Sequence, residues 1–270
     1  MSKIRLLEVQ EIPFLKDFAP PDWNSDLSAI FSLYFDRPYF YPIVAEQDGK
    51  IVGCAQGLLN GDTGWLGNII VLTEFRGKGI GTALTAHLID ALSSKGCRNQ
   101  LLIATPMGEP IYRRLGFQRV DEYIFFKRED SPAVVQIPGV HRLEPAEAGR
   151  ILDLDRAFTG EDRKPFLSNF LADAWVHKPV PGGSLDGFFL PGLGNGLILA
   201  GNDQAGLALL GFKLGLGAKM VVVPEANLTA IEYLQQHGFQ ETNRAPRMLL
   251  GAEVNWQPEH IYSRGSGYCG

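Results

Sequence analysis

A glycine-rich segment between a predicted strand and a predicted helix constrains this chain more than any other feature. Residues 76–81 read Arg-Gly-Lys-Gly-Ile-Gly, after the apolar stretch 68–72 and before residues 79–94, whose apolar side chains recur along one helical stripe. Glycines without a Cβ let several backbone N–H groups converge on one point, and a helix N-terminus adds positive potential there. The segment therefore predicts an anion-binding loop into which a diphosphate would fit.

Two common phosphate loops have a different spacing. A Walker loop needs Ser or Thr directly after its lysine, whereas Lys78 is followed by Gly79. A Rossmann loop needs Gly-x-Gly-x-x-Gly and an acidic residue about 20 positions later, where this chain has Arg98-Asn99-Gln100. An ordinary glycine-rich turn is the alternative that the segment alone leaves open.

The predicted strands and helices follow a mixed α/β order that begins again in the second half of the chain. A hairpin is predicted around Asp48-Gly49, and a linker at 129–139, where polar, Pro and Gly residues interrupt the pattern. Segments 114–117 and 236–239 both end in Gly-Phe after a short predicted helix, which indicates a weak internal repeat. We therefore predict two domains, 1–130 and 139–270.

Composition excludes several classes of function. The net charge of −5 and the lack of a basic stripe argue against nucleic-acid partners, including tRNA. No apolar stretch approaches the roughly 20 residues that span a bilayer. Cys54, Cys97 and Cys269 are too far apart for a disulfide framework or a metal site, and Cys269 is expected to be exposed. These patterns favour a cytoplasmic protein without a metal, a nucleic-acid partner or a membrane partner.

Two motifs together resemble the GNAT superfamily of N-acetyltransferases. Arg76, Gly79 and Gly81 match its pyrophosphate motif, Arg/Gln-x-x-Gly-x-Gly/Ala, and segment 104–117 resembles its later strand–helix motif, which ends in Tyr-x-x-x-Gly-Phe. The match covers most of residues 1–128. The resemblance implies an α/β (α+β) fold of two tandem domains, each with a central mixed, mostly antiparallel sheet flanked by helices.

The resemblance also implies acetyl-CoA as cosubstrate. The strand before the glycine segment would pair its backbone with the pantetheine arm, and the segment itself would hold the diphosphate. The implied cofactor-binding residues are Ile69, Ile70, Val71, Arg76, Gly77, Lys78, Gly79, Ile80, Gly81 and Thr82.

The family's catalytic tyrosine maps to Tyr112, the candidate general acid for the departing CoA thiolate. Thr105 stands where the family often has Asn. The sequence identifies no general base, although Glu74, Glu109 and Asp62 are candidates. Two further suspects for substrate contact are the acidic cluster 160–163, for which a helix N-terminus with acidic first-turn residues is the alternative, and a set of aromatic residues, for which core packing is the alternative. The aromatic residues are Tyr39, Phe40, Tyr41 and Trp65.

The second half resembles a divergent GNAT domain. It keeps the later motif with Asn227 and His237-Gly238-Phe239, but glycine stretches 192–196 and 201–206 lack the pyrophosphate motif, and Leu234 replaces the tyrosine. We expect one active cofactor site, in the first half. The predicted function is acetyl or short-acyl transfer to an amine of a small molecule, peptide or protein, by a monomer or homodimer. The alternative is a non-catalytic acyl-CoA sensor.

Overall fold

The protein is described by a computed structural model that covers residues 2–20, 23, 25–130, 137–180 and 183–270. Strands and helices are mixed along the chain, which confirms the predicted fold class. The strands are β1 (Lys3–Leu6), β2 (Phe40–Gln47), β3 (Lys50–Asn60), β4 (Thr63–Val71), β5 (Asn99–Ile103), β6 (Gln118–Lys127), β7 (Val140–Arg142), β8 (Trp175–His177), β9 (Gly187–Leu190), β10 (Leu197–Ala200), β11 (Met220–Pro224), β12 (Gln240–Gly251) and β13 (Ile261–Ser263). The helices are α1 (Leu27–Tyr34), α2 (Ile80–Ser94), α3 (Glu109–Arg114), α4 (Ala148–Thr159), α5 (Lys164–Leu167), α6 (Asp203–Gly215) and α7 (Leu228–Gln236), with short 3-10 turns between them.

The chain divides into two compact units. The first takes the residues up to Gln118 together with Met248–Ala252 and Cys269, and the second takes Arg119–Arg247 with Glu253–Tyr268 and Gly270. The predicted domain limits, 1–130 and 139–270, stay a prediction. Residues 131–136 of the predicted linker lie outside the described residues.

The sheet of the first unit runs in the order β1-β2-β3-β4-β5, antiparallel except for the parallel pair β4–β5. The predicted hairpin joins β2 and β3. Asp48 (φ 52°) and Gly49 (φ 75°) both have positive φ, as a type I′ turn requires. Helix α2 packs so closely on one face that a Cβ at Gly57 of β3 would lie 3.0 Å from Leu92 of the helix. This close packing seats the last turn of α2 on β3.

The second unit contains an antiparallel sheet in the order β13-β10-β9-β8-β7 and the antiparallel pair β6–β11. Leu209, Leu210 and Leu214 of α6 are buried in its core. The sequence pattern predicts neither β8 nor β13, each three residues long. The sequence pattern predicts one helix over residues 163–173, where the structure has the short α5 followed by a 3-10 helix, Ser168–Asp173.

All three cysteines are buried. The expectation that Cys269 is exposed is wrong, since its side chain lies in the interior (0% exposed). Burial raises the pKa of the Cys54 thiol, and burial together with Asp62 raises that of Cys97. Within the part of the chain that the structure describes, no helix has both the length and the apolar character that crossing a membrane requires.

Candidate functional site

Strand β4 leaves its neighbour β5 before it ends. The parallel pairing runs from Thr63 opposite Asn99 to Trp65 opposite Leu101. Residues 66–71 of β4 extend beyond the last pair. The two strands therefore splay apart, and the end of β4, which includes Ile69, Ile70 and Val71, presents an edge of backbone groups toward the opening.

A β-bulge interrupts β4 at the start of this free edge. Gln56 of β3 lies opposite Gly67, but Cys54 lies opposite Ile70. Two residues of β4, at positions 68 and 69, therefore face a single residue of β3, which defines a bulge. Asn68 adopts a φ of 49°, a region that Asn tolerates better than most residues. The sequence carries only a weak signal of this bulge, an Asn within an apolar stretch.

The hydrogen bonds around Val71 show which way its backbone points. The N–H of Leu72 donates to the carbonyl of Val52 on β3 (3.0 Å), whereas the carbonyl of Val71 accepts from Nε of Arg76 (2.9 Å). Backbone groups alternate in direction along an antiparallel strand, and those of one residue point the same way. The N–H of Val71 therefore points away from β3, toward the splay.

The glycine-rich loop leads from the end of β4 into α2. Gly77 (φ 75°) and Gly79 (φ 80°) both have positive φ, and a Cβ on either would meet no atom of the described residues within 4 Å. Gly79 is the residue that caps α2, and no side chain caps the helix in its place. Backbone conformation, not packing, therefore explains these glycines, and the first turn of α2 (Ile80 to Thr82) offers its N–H groups at an uncapped helix N-terminus.

The two charged residues of the loop contact residues that precede it. Arg76 is exposed and ties the loop to β4 through its bond to Val71. Nζ of Lys78 lies 5.1 Å from the centre of the Phe75 ring, a cation–π contact. The structure thus groups the ten predicted cofactor-binding residues along one path, from the edge of β4 through the loop to the start of α2. Their contacts with a cofactor stay a prediction.

Tyr112 lies on α3, next to this path. Gly81 of α2 connects the two regions, because a Cβ on it would lie 3.8 Å from both Val71 and Ile111. The Tyr112 side chain is buried against Gly108 and against the ring of Phe117, at a centroid distance of 6.1 Å. Burial raises the pKa of Tyr112 to about 12, so its phenol stays protonated at neutral pH. A protonated phenol can act as a proton donor.

Thr105 and Asn227 occupy corresponding positions in the two repeats, and both have structural partners. Oγ1 of Thr105 accepts from the N–H of Gly108 (3.2 Å), just before α3. Oδ1 of Asn227 accepts from the N–H of Ala230 (2.8 Å), and its Nδ2 donates to the carbonyl of Ile261 (3.0 Å). Each side chain thus stabilises the start of its helix, which is a sufficient reason for its presence.

Of the three candidate bases in the first unit, two form ion pairs and one is exposed. Asp62 pairs with Arg98, and Glu109 pairs with Arg113 one helical turn later. Glu74 lies exposed in the turn before the loop. The structure therefore does not identify a general base among them.

The aromatic residues proposed to line an acceptor pocket serve mainly as core. The Phe40 ring contacts those of Phe31 (5.4 Å) and Tyr34 (5.7 Å) of α1. Tyr39, Phe40 and Trp65 are buried, and Tyr41 packs partly buried against the core that includes α2. Core packing, the alternative in the sequence analysis, is what these contacts show.

The acidic cluster 160–163 lies in the second unit. Glu161 and Arg163 are buried there, and Nε of Arg163 donates to the carboxylate of Asp155 on α4 (3.1 Å). A second guanidinium nitrogen donates to the other oxygen of that carboxylate, so the pair is bidentate. Arg163 is therefore part of the interior of the second unit.

In the second unit, the helix start that corresponds to the open N-terminus of α2 is occupied by side chains. Oδ1 of Asn202 accepts from the N–H of Ala205 (2.9 Å) and so caps α6. The Tyr262 ring lies directly against Gly206, leaving no room for a Cβ, and its hydroxyl donates to Asp203 in the first turn. A capping side chain, a ring and a carboxylate would together exclude a diphosphate from this helix start.

The other glycine stretch of the second unit, 192–196, is held by a buried lysine. Nζ of Lys213 donates to the carbonyl of Asn195, to that of Gly196 (3.3 Å) and to the hydroxyl of Ser263 (2.6 Å). Burial lowers the pKa of Lys213 to about 7. These loop carbonyls point at a cation, so this stretch does not present the N–H groups that an anion needs.

Two family models match this chain, one in each half. A model of the Acetyltransferase (GNAT) family matches residues 8–117, and a second Acetyltransferase (GNAT) domain model matches residues 151–263. A putative acetyltransferase from Pyrococcus horikoshii is similar in fold, with a TM-score of 0.84 at 18% identity over 100% of this chain and 96% of that chain.

Two further solved structures are similar over nearly the whole chain. A GCN5-related N-acetyltransferase from Sphaerobacter thermophilus has a TM-score of 0.62 at 14% identity, covering 95% of this chain and 98% of that one. A GCN5-related N-acetyltransferase from Anabaena variabilis has a TM-score of 0.57 at 13% identity, covering 92% and 72%. With both halves matched by GNAT models and the whole chain sharing the fold of such proteins, this protein belongs to the GNAT acetyltransferase superfamily and carries two GNAT domains in tandem.

Proposed function

We propose that this protein is an N-acetyltransferase that moves an acetyl group from acetyl-CoA to a primary amine, and that the first unit performs the reaction. The observation that carries the proposal is the continuous path from the free edge of β4, through a glycine loop with room around it, to an uncapped start of α2. Family membership supports acetyl transfer in general. It also disfavours the alternative of a non-catalytic acyl-CoA sensor.

The residues of the path fit the parts of acetyl-CoA. The N–H groups around Gly79 and the first turn of α2 would bind the diphosphate, and the backbone at Ile69 to Val71 would pair with the pantetheine arm. A side chain at Gly77 or Gly79 would occupy the space that the structure leaves open there. The second unit, whose helix start is filled, would bind no cofactor at that place.

Acetyl-CoA supplies a thioester whose carbonyl carbon an amine can attack, with the CoA thiolate as leaving group. The N–H of Val71, which points into the splay, would donate to the carbonyl oxygen and stabilise the negative charge that develops on it. Tyr112 would give its phenol proton to the sulfur as the C–S bond breaks and the C–N bond forms. Water would return a proton to Tyr112 and take the one released by the amine.

The experiment is to incubate the protein with acetyl-CoA and a panel of amines and to follow the CoA thiol. We expect turnover with at least one amine, and Tyr112→Phe to lower kcat by about 10²- to 10⁴-fold while the Kd for CoA stays unchanged. Tyr233→Phe, a partly buried tyrosine of the second unit, is the matched control and should keep the wild-type rate. Tight binding of acetyl-CoA without turnover of any amine would overturn the proposal.

A further inference from the structure

The bulge in β4 decides the direction of the Val71 N–H. Backbone groups and side chains alternate along a strand, so one extra residue reverses the direction of every residue beyond it. Asn68 and Ile69 together face one residue of β3, and Val71 follows two positions later. If the bulge were lost and the register closed up, the N–H of Val71 would turn toward β3 and away from the splay.

Asn68 is held to β3 by both its side chain and its backbone. Its Nδ2 donates to Oε1 of Gln56 (3.0 Å), and its carbonyl accepts a weak bond from the thiol of Cys54 (3.8 Å). The positive φ of Asn68 supplies the bend, and these two contacts keep it in register with β3. The Gln56–Asn68 bond is therefore the side-chain link that spans the bulge.

Burial of the Gln56 side chain destabilises the fold. The side chain is completely buried (0% exposed), and its Nε2 has no hydrogen-bond partner among the residues that the structure describes. A buried donor without a partner destabilises the fold, and an apolar side chain of similar size would avoid the penalty. Since the one side-chain bond that Gln56 makes goes to the bulge, its contribution is to hold Asn68.

We propose that Gln56 and Asn68 are positioning residues for acetyl transfer. Their amide–amide bond locks the bulge, and the bulge aims the Val71 N–H at the thioester carbonyl. Neither side chain touches the reacting atoms. The inference rests on the proposed function, because it assigns a purpose to the N–H that polarises the carbonyl.

Three variants test the bond itself. Asn68→Gly tolerates the positive φ but removes the amide, and Gln56→Leu removes the acceptor. Both should lower kcat by about 10- to 100-fold, with the KM for acetyl-CoA unchanged. Asn68→Asp lets the Gln56 amide turn over and donate its Nε2–H to the new carboxylate, so it should recover most of the lost rate.

A second measurement does not need turnover. Acetyl-CoA labelled with ¹³C at the carbonyl carbon absorbs at a lower infrared frequency when an N–H donates to its oxygen. On binding to the wild-type protein the frequency should fall below its value in solution. When acetyl-CoA is bound to Asn68→Gly or Gln56→Leu, the carbonyl frequency should return toward the solution value, while the Kd for CoA stays the same.

Gln100→Leu is the matched control, the same exchange at another buried glutamine of the first unit. Nε2 of Gln100 donates to the carbonyl of Ile89 and the hydroxyl of Ser93, both at 2.9 Å. The control should therefore lower Tm but keep the wild-type kcat and infrared frequency. Each exchange removes one buried polar atom that has no partner among the described residues, Nε2 of Gln56 or Oε1 of Gln100. Gln56→Leu gives up one hydrogen bond instead of two, so it should change Tm less than the control while lowering kcat and the infrared shift.

The outcomes separate this inference from the proposed function. Wild-type rates and frequencies in both Asn68→Gly and Gln56→Leu would overturn the positioning role while acetyl transfer stands. A loss of rate accompanied by an equal rise in KM and a fall in Tm would also overturn it, in favour of a structural role. If acetyl-CoA binds but no amine is acetylated, the infrared shift still decides the inference. Failure of the wild-type protein to bind acetyl-CoA would overturn both.

Discussion

Replacing Gly79 by alanine isolates the contribution of the glycine loop to cofactor binding. Gly79 has a φ of 80°, and an added Cβ would touch nothing within 4 Å. Gly49 in the β2–β3 turn has a φ of 75° and equally open surroundings. The two glycines thus have similar φ values and the same free space, but only Gly79 lies at the start of α2.

The two alanine variants should lose similar stability. A residue with a Cβ at such a φ costs about 1–2 kcal/mol, whichever of the two positions it takes. For a chain of this length, 1 kcal/mol corresponds to roughly 2–4 °C in Tm. Both variants should therefore unfold a few degrees below the wild-type protein in a thermal scan.

Their affinities for CoA should differ. A hydrogen bond from a backbone N–H to a charged phosphate contributes about 1.5–3 kcal/mol, so disturbing one at Gly79 raises the Kd about 10- to 150-fold. Gly49→Ala should bind CoA like the wild-type protein. Titration calorimetry with CoA measures both. Equal affinities for the two variants, with equal losses of Tm, would refute the assignment of the α2 start as the diphosphate site.

Two predictions concern the second unit. The pKa of Lys213 is lowered to about 7, so between pH 7 and 10 the unfolded chain binds more protons than the folded one, and the free energy of unfolding should rise with pH by up to about 1.4 kcal/mol per unit. Urea unfolding across this window should show that rise in the wild-type protein and a flatter curve in Lys213→Met; parallel curves would contradict it. Arg163→Met should lower the free energy of unfolding by about 3–5 kcal/mol, because it leaves the buried Asp155 carboxylate without its bidentate partner. The double variant Arg163→Met/Asp155→Leu should recover most of that loss, and a single-variant effect below about 1 kcal/mol would argue against an ionised buried pair.

The parts of the site that follow from local sequence were predictable. The glycine spacing at 76–81 predicts the loop and the start of α2, and Asp48-Gly49 predicts the hairpin, since both depend on φ values that neighbouring residues reveal. In each case the signal and the structure lie within a few residues of each other.

The remaining features depend on residues that are distant in the sequence. The bulge at Asn68 is defined by its register against Gln56, twelve positions earlier. The closure of the α6 start depends on Tyr262, 59 positions beyond Asp203. The second half of the sequence carries no phosphate motif, and the packing at the start of α6 supplies the physical reason why a diphosphate would not fit there.

The burial of the three cysteines bears on how the reaction can be measured. Aromatic disulfide reagents detect free CoA by reacting with thiolates, and a protein whose own thiols react would add a background that grows with enzyme concentration. Here Cys54, Cys97 and Cys269 lie in the interior, and burial favours the unreactive protonated form of the first two. A folded sample should thus give a nearly flat baseline, and an absorbance that develops without acetyl-CoA would report unfolding of the protein instead of catalysis.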